Sequence, residues 1–437
     1  MRHTPPAIPA KAGTHLPKAR RKWVPAFAGM TASVFSTFAA PAAARAPSIP
    51  AADAPQLAAL GPDTIGLAKT TVAVPGRDRR LDVWLWYPAR ADGTPETYRR
   101  HLVTADGPPL DITTEGLAVA GAAPLPGRFP LVVISHGFGG WAGGMTYLAE
   151  NLATKGYVVA SIDHADGQGG SGGAEGRVRV AGSIVNRARD QQAVIAAVAG
   201  GTALPPALAG HVDGGRIALI GYSMGGFGAV ATAGAPYDPA GGAIAPVAAL
   251  LADQVKPAAV AGLKAVVLIA PWGGQPPYRA WAPAALAGIA VPSLWIDGDR
   301  DDVSDYANGV RWLFDHATAS NRWLLTYREA RHNVGGNPPP PETLARADLA
   351  ENFAEPVWRS DRIAAINQHF VTAFLDRFVK GDAKHGAFLD VPTADGDTAT
   401  WPDAPRGFAG AEQPHYWPGF QRRWLLGLRL EHSEGER

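Results

Sequence analysis

A serine framed by glycines is the feature of this sequence that most restricts its fold. Residues 221–225 read Gly-Tyr-Ser-Met-Gly, directly after the apolar stretch 216–220 and before a run of small residues suited to a helix. A G-x-S-x-G motif between a strand and a helix is typical of a nucleophile elbow, a turn too tight for side chains beside the serine. We therefore predict that Ser223 is a nucleophile and that the Met224 N–H contributes to an oxyanion hole.

A nucleophilic serine needs a histidine that accepts its proton and an acid that orients the histidine. His332 follows the apolar run 323–325, which predicts a late strand that ends at the same sheet edge as Ser223. The other histidines in this part of the chain fit less well, because His369 falls inside a predicted helix. Three more follow the last predicted core element, namely His385, His415 and His432. We therefore predict His332 as the general base.

The position of the acid is narrowed by a stretch without carboxylates. Residues 265–295 contain no Asp or Glu, so no acid follows the strand predicted at 264–270. The next predicted strand, 292–296, runs into Asp297 and then into a loop that begins with Gly298. Hydrolases with an elbow usually place the acid three residues after this loop glycine, which predicts Asp301. Asp302 is the second choice and Asp299 the third.

The same acidic run has another interpretation as a calcium loop, because Asp297, Asp299 and Asp301 alternate. An EF-hand loop needs glycine at its sixth position and glutamate at its twelfth. This chain has Asp302 and Asn308 there. We therefore predict no metal site and no cofactor.

A second oxyanion donor is indicated by the run 136–139, which reads His-Gly-Phe-Gly and follows the predicted strand 130–135. An H-G-x-G turn after an early strand offers a backbone N–H to a developing oxyanion. We assign this donor to Phe138. His136 precedes the serine in the chain, which is the wrong order for the base in this arrangement, so we expect it to brace the turn.

These segments resemble the α/β-hydrolase superfamily, and within it bacterial esterases of the dienelactone-hydrolase-like or platelet-activating-factor-acetylhydrolase-like kind. The segments that carry the resemblance are 81–88, 136–139, 162–164, 221–226 and 332–333. The resemblance implies an α/β fold with a mostly parallel central sheet, helices on both faces and an antiparallel N-terminal hairpin. It also implies ester hydrolysis through an acyl-enzyme intermediate.

Two departures limit the resemblance. Dienelactone hydrolases use a cysteine nucleophile, and this chain has no cysteine. The acetylhydrolases place their acid after the strand that corresponds to 264–270, where this chain has none. We therefore expect a serine carboxylic-ester hydrolase that acts on a small-molecule or lipid-like ester, and we assign neither family's substrate. The alternatives are a serine peptidase or amidase, and a non-catalytic binding protein on the same fold.

The rest of the chain alternates between strand and helix patterns, which is typical of a mostly parallel sheet. An opening hairpin is predicted at 70–74 and 81–86. The later strands are predicted at 131–135, 157–162, 216–220, 264–270, 292–296 and 322–327. A helix is predicted at 361–379, with an apolar face, Ser360 as its cap and Lys380-Gly381 at its end.

Composition separates a leader from the folded part. Residues 1–50 combine basic residues, a mildly apolar stretch and a small-x-small site, so we expect an export signal or a disordered leader. Export would make the protein periplasmic or secreted, whereas a leader that is disordered, or that precedes the true start codon, would leave it in the cytoplasm. We expect residues 51–437 to form one domain without a membrane span. The net charge of +1 argues against a nucleic-acid partner, and the oligomeric state is left open.

Three further features have two interpretations each. The Ala-rich segment 236–262 is either a lid over an apolar substrate or an ordinary core helix. Residues 167–172 match G-x-G-x-x-G, but 177–180 has an extended pattern, so we expect a loop rather than a dinucleotide site. Four residues near the expected sheet edge could contact substrate or simply pack: Trp141, His164, Trp272 and Asn333.

Overall fold

Along the strands of this chain, apolar side chains point to both faces of the sheet, and helices cover the two faces. The computed structural model describes residues 51–104, 107–167, 172–254, 260–401 and 415–436. The strands are β1 Thr64–Ala73, β2 Arg80–Arg90, β3 Thr97–Leu102, β4 Leu110–Glu115, β5 Val119–Ala120, β6 Ala123–Pro124, β7 Phe129–Ser135, β8 Val158–Asp163, β9 Val212–Tyr222, β10 Leu263–Ile269, β11 Ser293–Gly298, β12 Arg322–Tyr327 and β13 Leu428–Ser433.

The helices lie mostly between the parallel strands. They are α1 Thr146–Thr154, α2 Gly173–Ala199, α3 Met224–Thr232, α4 Pro283–Leu286, α5 Arg311–His316, α6 Pro341–Leu344, α7 Ala347–Phe353, α8 Ser360–Leu375 and α9 Ala383–Gly386. Short 3-10 turns occur at Gln56–Ala58, Pro206–Leu208, Ala245–Leu251, Ala387–Leu389 and Gly396–Thr398, and π-helical turns at Tyr306–Val310 and Asp376–Lys380.

The central sheet has the order β13-β12-β11-β10-β9-β7-β8-β2-β1-β5, with β6 on β2. The six strands from β12 to β8 are parallel, and β2 and β13 join them antiparallel at the two sides. β1 and β2 form the antiparallel hairpin at the start of the described chain. The structure therefore confirms the predicted fold class.

Alternation along β7 shows how the two cores form. Val133 packs with α2, α3 and α5 on one face of the sheet, whereas Val132 and Ile134 pack with α1 and α8 on the other. Because all six parallel strands are covered on both faces, their carboxyl ends form an edge at which loops can carry functional groups.

The strand β13 and the β3–β4 hairpin are among the elements that were not predicted from the sequence. The strand β13 pairs with β12, and its His432 ring stacks on Trp323 with ring centroids 4.2 Å apart. His432 thus belongs to the sheet, and placing it beyond the last core element was wrong. The β3–β4 hairpin forms a separate two-stranded sheet.

Three local predictions need correction. Residues 177–180 lie inside α2 and are not extended, because the 27-residue α2 begins at Gly173, directly after the sequence run 167–172. Ser360 is the first residue of α8 and its side chain makes no capping bond, whereas Gly381, with φ +78°, ends the helical run as predicted. The described parts of 236–262 contain a 3-10 turn and no α-helix, so the core-helix interpretation was wrong.

The described residues all belong to one compact unit, Pro47–Arg437. The predicted leader, 1–50, lies outside the described residues. Within the described part of the chain, no helix has the length and apolar character needed to cross a membrane.

Candidate active site

Ser223 occupies a strained turn between β9 and α3. Its φ is +52°, an unusual value for a residue with a side chain and one that is common at functional sites. A Cβ on Gly221 would overlap the Gly225 carbonyl, and a Cβ on Gly225 would overlap the Ser135 carbonyl of the neighbouring strand. Glycine is therefore required at both positions, and the half-buried Ser223 lies at the carboxyl edge of the sheet.

The structure brings the side chains of Ser223, His332 and Asp301 into one hydrogen-bonded chain. His332 Nε2 lies 2.9 Å from Ser223 Oγ, and His332 Nδ1 lies 2.7 Å from Asp301 Oδ2. The Asp301 side chain is fully buried, whereas the His332 side chain keeps 11% of its surface exposed. This geometry lets the imidazole accept a proton from the serine at one nitrogen while the carboxylate orients the other.

Asp301 is held as a carboxylate by its neighbours. Its Oδ1 accepts hydrogen bonds from the N–H groups of Val303 (2.7 Å) and Ser304 (2.9 Å). Burial alone would raise the pKa of Asp301, but His332 and the Ser304 N–H outweigh it and lower the pKa below its usual value. A charged Asp301 can therefore stabilise the imidazolium that forms during proton transfer.

The other acids of this loop have different partners. Asp302 is exposed and pairs with the guanidinium of Arg331. Asp299 accepts the Glu329 N–H at 2.7 Å. Of the acids in this loop, Asp301 is therefore the one whose carboxylate binds His332.

The turn with Phe138 lies directly against the elbow. A Cβ on Gly137 would be 3.2 Å from Ser223 Cβ, so the two segments are in close contact. No acceptor within the described ranges takes the backbone N–H of Phe138 or of Met224, the first residue of α3. Both donors are thus available at the elbow, as an oxyanion hole requires.

His136 orients the peptide that carries the Phe138 N–H. Its Nδ1 lies 2.7 Å from the Gly137 carbonyl oxygen, and its Nε2 accepts the His164 N–H at 3.2 Å. Burial lowers the pKa of His136 to about 4, so the ring is neutral and Nδ1 carries the proton. Since C=O and N–H point in opposite directions in a trans peptide, fixing the Gly137 oxygen also fixes the direction of the Phe138 N–H.

His164 does not fit the predicted contact with substrate. Its side chain is fully buried, with Nε2 at 2.8 Å from Ser135 Oγ and Nδ1 at 3.0 Å from Asp190 Oδ2. Both ring nitrogens are therefore used inside the protein. Through its contacts with Ser135 and His136, His164 supports the end of β7 and the turn that carries Phe138.

The remaining substrate candidates differ in their surroundings. Trp272 donates its backbone N–H to the Ser223 carbonyl at 3.1 Å, and its half-buried ring lies beside Tyr278. Trp141 is half-buried and packs edge-on against Trp84, with ring centroids 5.4 Å apart. Asn333 uses its side-chain amide to donate to two backbone carbonyls, those of Glu351 and Ala354. Trp272 is thus adjacent to the nucleophile, whereas Asn333 ties its own loop to the end of α7.

Glu355 is a site residue that sequence reasoning missed. Its carboxylate oxygens accept the backbone N–H of Arg331 at 2.6 Å and of Asn333 at 2.7 Å, on either side of His332. Burial raises the pKa of Glu355. A glutamate in a connecting segment has no local pattern that would have revealed this contact.

One group in the described residues could bring ligand atoms close enough to share a metal ion. The side chains of Asp376, Asp382 and His385 gather within 4.8 Å, at the end of α8 and in α9. Asp376 already binds His385 Nδ1 at 2.5 Å and Lys380 Nζ at 2.9 Å. These contacts account for the cluster as an ion-pair network, so we assign it no metal.

The fold is that of an α/β hydrolase, and comparison with known families agrees. The family model of serine aminopeptidase, S33, matches residues 128–279. This span contains Phe138 and Ser223 and ends before Asp301 and His332. No curated protein matches the chain. The chain therefore has the α/β-hydrolase fold and is similar to this family over residues 128–279, and its resemblance to the two esterase subfamilies stays a prediction.

Proposed function

We propose that this hydrolase is a serine carboxylic-ester hydrolase. Ser223 Oγ attacks the ester carbonyl while His332 Nε2 takes the hydroxyl proton, and the N–H groups of Phe138 and Met224 stabilise the oxyanion. His332 then gives that proton to the departing alkoxide, which leaves as the alcohol. A water molecule then attacks the acyl carbonyl while His332 takes its proton. His332 returns this proton to Ser223 Oγ as the acyl–oxygen bond breaks and the acid leaves, and Asp301 orients His332 in both steps.

The hydrogen-bonded chain from Asp301 through His332 to Ser223 is the observation that carries this proposal. Two backbone N–H donors without acceptors in the described chain lie on the segments that meet at the serine. The half-buried Tyr222 ring stacks on His332, and Trp272, whose backbone binds Ser223, adds a second half-buried aromatic side chain to this region, which suits a small-molecule or lipid-like ester.

A serine peptidase or amidase is the second candidate, because the matched family model is named for a serine aminopeptidase. An aminopeptidase has to bind the free ammonium group of its substrate, and a carboxylate is the natural partner. The acids on the loops around the site already accept protein donors: Asp299 from Glu329, Asp302 from Arg331, Asp305 from Asn308, and Glu355 from Arg331 and Asn333. This engagement favours an ester over a peptide N-terminus.

The proposal is tested with p-nitrophenyl esters from acetyl to palmitoyl, each beside the p-nitroanilide of the same acyl group where one is available. We expect turnover of esters and much slower turnover of anilides, and a fall of activity below about pH 6–7, where histidine ordinarily protonates. Ser223→Ala is the blank and should lose on the order of 10⁶-fold in kcat. Anilides cleaved as fast as esters would favour the peptidase, and failure of a fluorophosphonate to label Ser223 would favour a binding protein.

A further inference from the structure

Asp297 is a buried carboxyl group that the hydrolytic mechanism does not use. It lies near the end of β11, and its side chain is fully buried. Its Oδ1 accepts the Gly298 N–H at 2.9 Å. Its Oδ2 has no hydrogen-bond partner among the groups that ordinarily donate. A buried carboxylate with one oxygen left without a donor is costly, so this atom requires an explanation.

The neighbour that explains Oδ2 is the carboxyl group of Asp301. The Asp301 N–H donates to the Gly298 carbonyl at 3.1 Å, so one tight turn connects the two acids. Each of the two buried carboxyl groups shifts the pKa of the other. Two neighbouring ionised carboxylates repel strongly, and a single shared proton removes the repulsion. The other titratable groups that interact with Asp297 are Glu355, Tyr222 and Tyr306, and His332 interacts with Asp301.

The number of donors decides which carboxyl keeps the proton. Asp301 accepts three N–H groups, from His332, Val303 and Ser304. Asp297 accepts one, from Gly298. Hydrogen bonds from N–H groups stabilise the ionised form, so Asp301 is the carboxylate and Asp297 is the acid.

We propose that Asp297 is a neutral carboxylic acid whose Oδ2–H donates to Asp301, which makes Asp297 a positioning residue of the site. The role in hydrolysis rests on the proposed function, whereas the protonation state does not. Burial, followed by the charge of Asp301, raises the pKa of Asp297 well above its usual value. The carboxyl pair then carries one negative charge, and the ionised Asp301 orients His332.

Asp297→Asn tests this role because an asparagine can reproduce both contacts of a neutral acid, with its oxygen towards Gly298 and its NH₂ towards Asp301. We expect this variant to keep kcat/KM within about threefold, with the acidic limb of the pH–rate profile moved by less than about 0.3 units. A limb that moves to lower pH by about one unit or more would overturn the proposal, since loss of an ionised neighbour destabilises the imidazolium.

Asp297→Leu removes the donor and should lower kcat on the order of tenfold, because a buried hydrogen bond is lost and Asp301 is less firmly held. Wild-type kcat in this variant would overturn the positioning role. Asp302→Asn is the matched control, because it removes an exposed carboxylate from the same loop. It should leave the position of the acidic limb unchanged.

Infrared difference spectroscopy of the resting protein tests the protonation state without substrate. At neutral pH, the C=O stretch of a protonated carboxyl should be present in the wild type and lost in Asp297→Asn. If the variant does not fold, the wild-type protein is labelled with ¹³C-aspartate, and the isotope shift of the C=O band identifies it as the band of a protonated aspartate. Absence of the band overturns the proposal. If the band is present but the protein cleaves no ester, the neutral state of Asp297 stands and only the proposed ester hydrolysis is rejected.

Discussion

Glu355 holds His332 from both sides, through the peptide N–H groups of the two residues next to the histidine. Its carboxylate oxygens lie 2.6 Å from the Arg331 nitrogen and 2.7 Å from the Asn333 nitrogen. The imidazole position is thus set by two carboxyl groups, Asp301 at the ring and Glu355 at the backbone. One follows β11, and the other lies in the connection between α7 and α8.

Glu355→Gln should reduce kcat more than it changes KM. Glutamine keeps one acceptor oxygen but turns an NH₂ group towards the second peptide N–H, so the His332 loop loses one of its two anchors. We expect a loss on the order of tenfold in kcat, measured as full steady-state kinetics on one ester. Glu351→Gln is the matched control, because the exposed Glu351 side chain lies one turn away in the same segment. Equal kinetics in the two variants would reject the anchoring role.

Local pattern predicted the elbow because each of its requirements lies within a few residues of Ser223. The parallel strands were predicted for the same reason, since each is a short apolar run. Glu355 could not be found in this way, because its partners lie more than twenty residues away and its segment has no motif. β13 was missed although Leu428 and Leu430 alternate with exposed residues, because an edge strand is defined by its pairing with β12.

Asp301→Asn should lower kcat about 10⁴-fold, because an asparagine can present an NH₂ group to His332 and favour the wrong tautomer. The spacing after Gly298 favoured Asp301 but could not exclude Asp302, since only the folded loop shows which side chain faces the histidine. Asp302→Asn breaks an exposed pair with Arg331 and should change kcat by less than about twofold. If Asp302→Asn instead shows the large loss of kcat on the same ester and Asp301→Asn shows the small one, the acid is Asp302.

His369 should make the folded state sensitive to acid. Burial lowers its pKa to about 3, and its Nδ1 accepts the Leu57 N–H at 3.1 Å. The unfolded chain therefore takes up a proton below about pH 6.5 that the folded protein excludes, so stability is lost as the pH falls from there towards 3. We expect this group to lower the free energy of unfolding on the order of 1–2 kcal/mol between pH 7 and pH 5.

Denaturant unfolding of His369→Gln at the two pH values measures this contribution. The variant should lose less stability on acidification than the wild type, although His136 and His164 are also buried and keep part of the effect. His211→Gln, at a half-buried position near the surface, is the control and should resemble the wild type. If His369→Gln loses as much stability on acidification as the wild-type protein does, the assignment is contradicted.

Two glycine-to-alanine changes should have opposite effects on stability. In Gly225→Ala, the new methyl group would overlap the Ser135 carbonyl oxygen, so the elbow must move away from β7 and both stability and activity should fall. Gly182 lies within α2, and its added Cβ would meet nothing within 4 Å. Gly182→Ala should therefore raise the free energy of unfolding by about 0.5–1 kcal/mol and leave kcat unchanged. Denaturant titration followed by circular dichroism, with ester turnover measured on the same samples, checks both variants. A stable and active Gly225→Ala protein would contradict the tight contact between the elbow and β7.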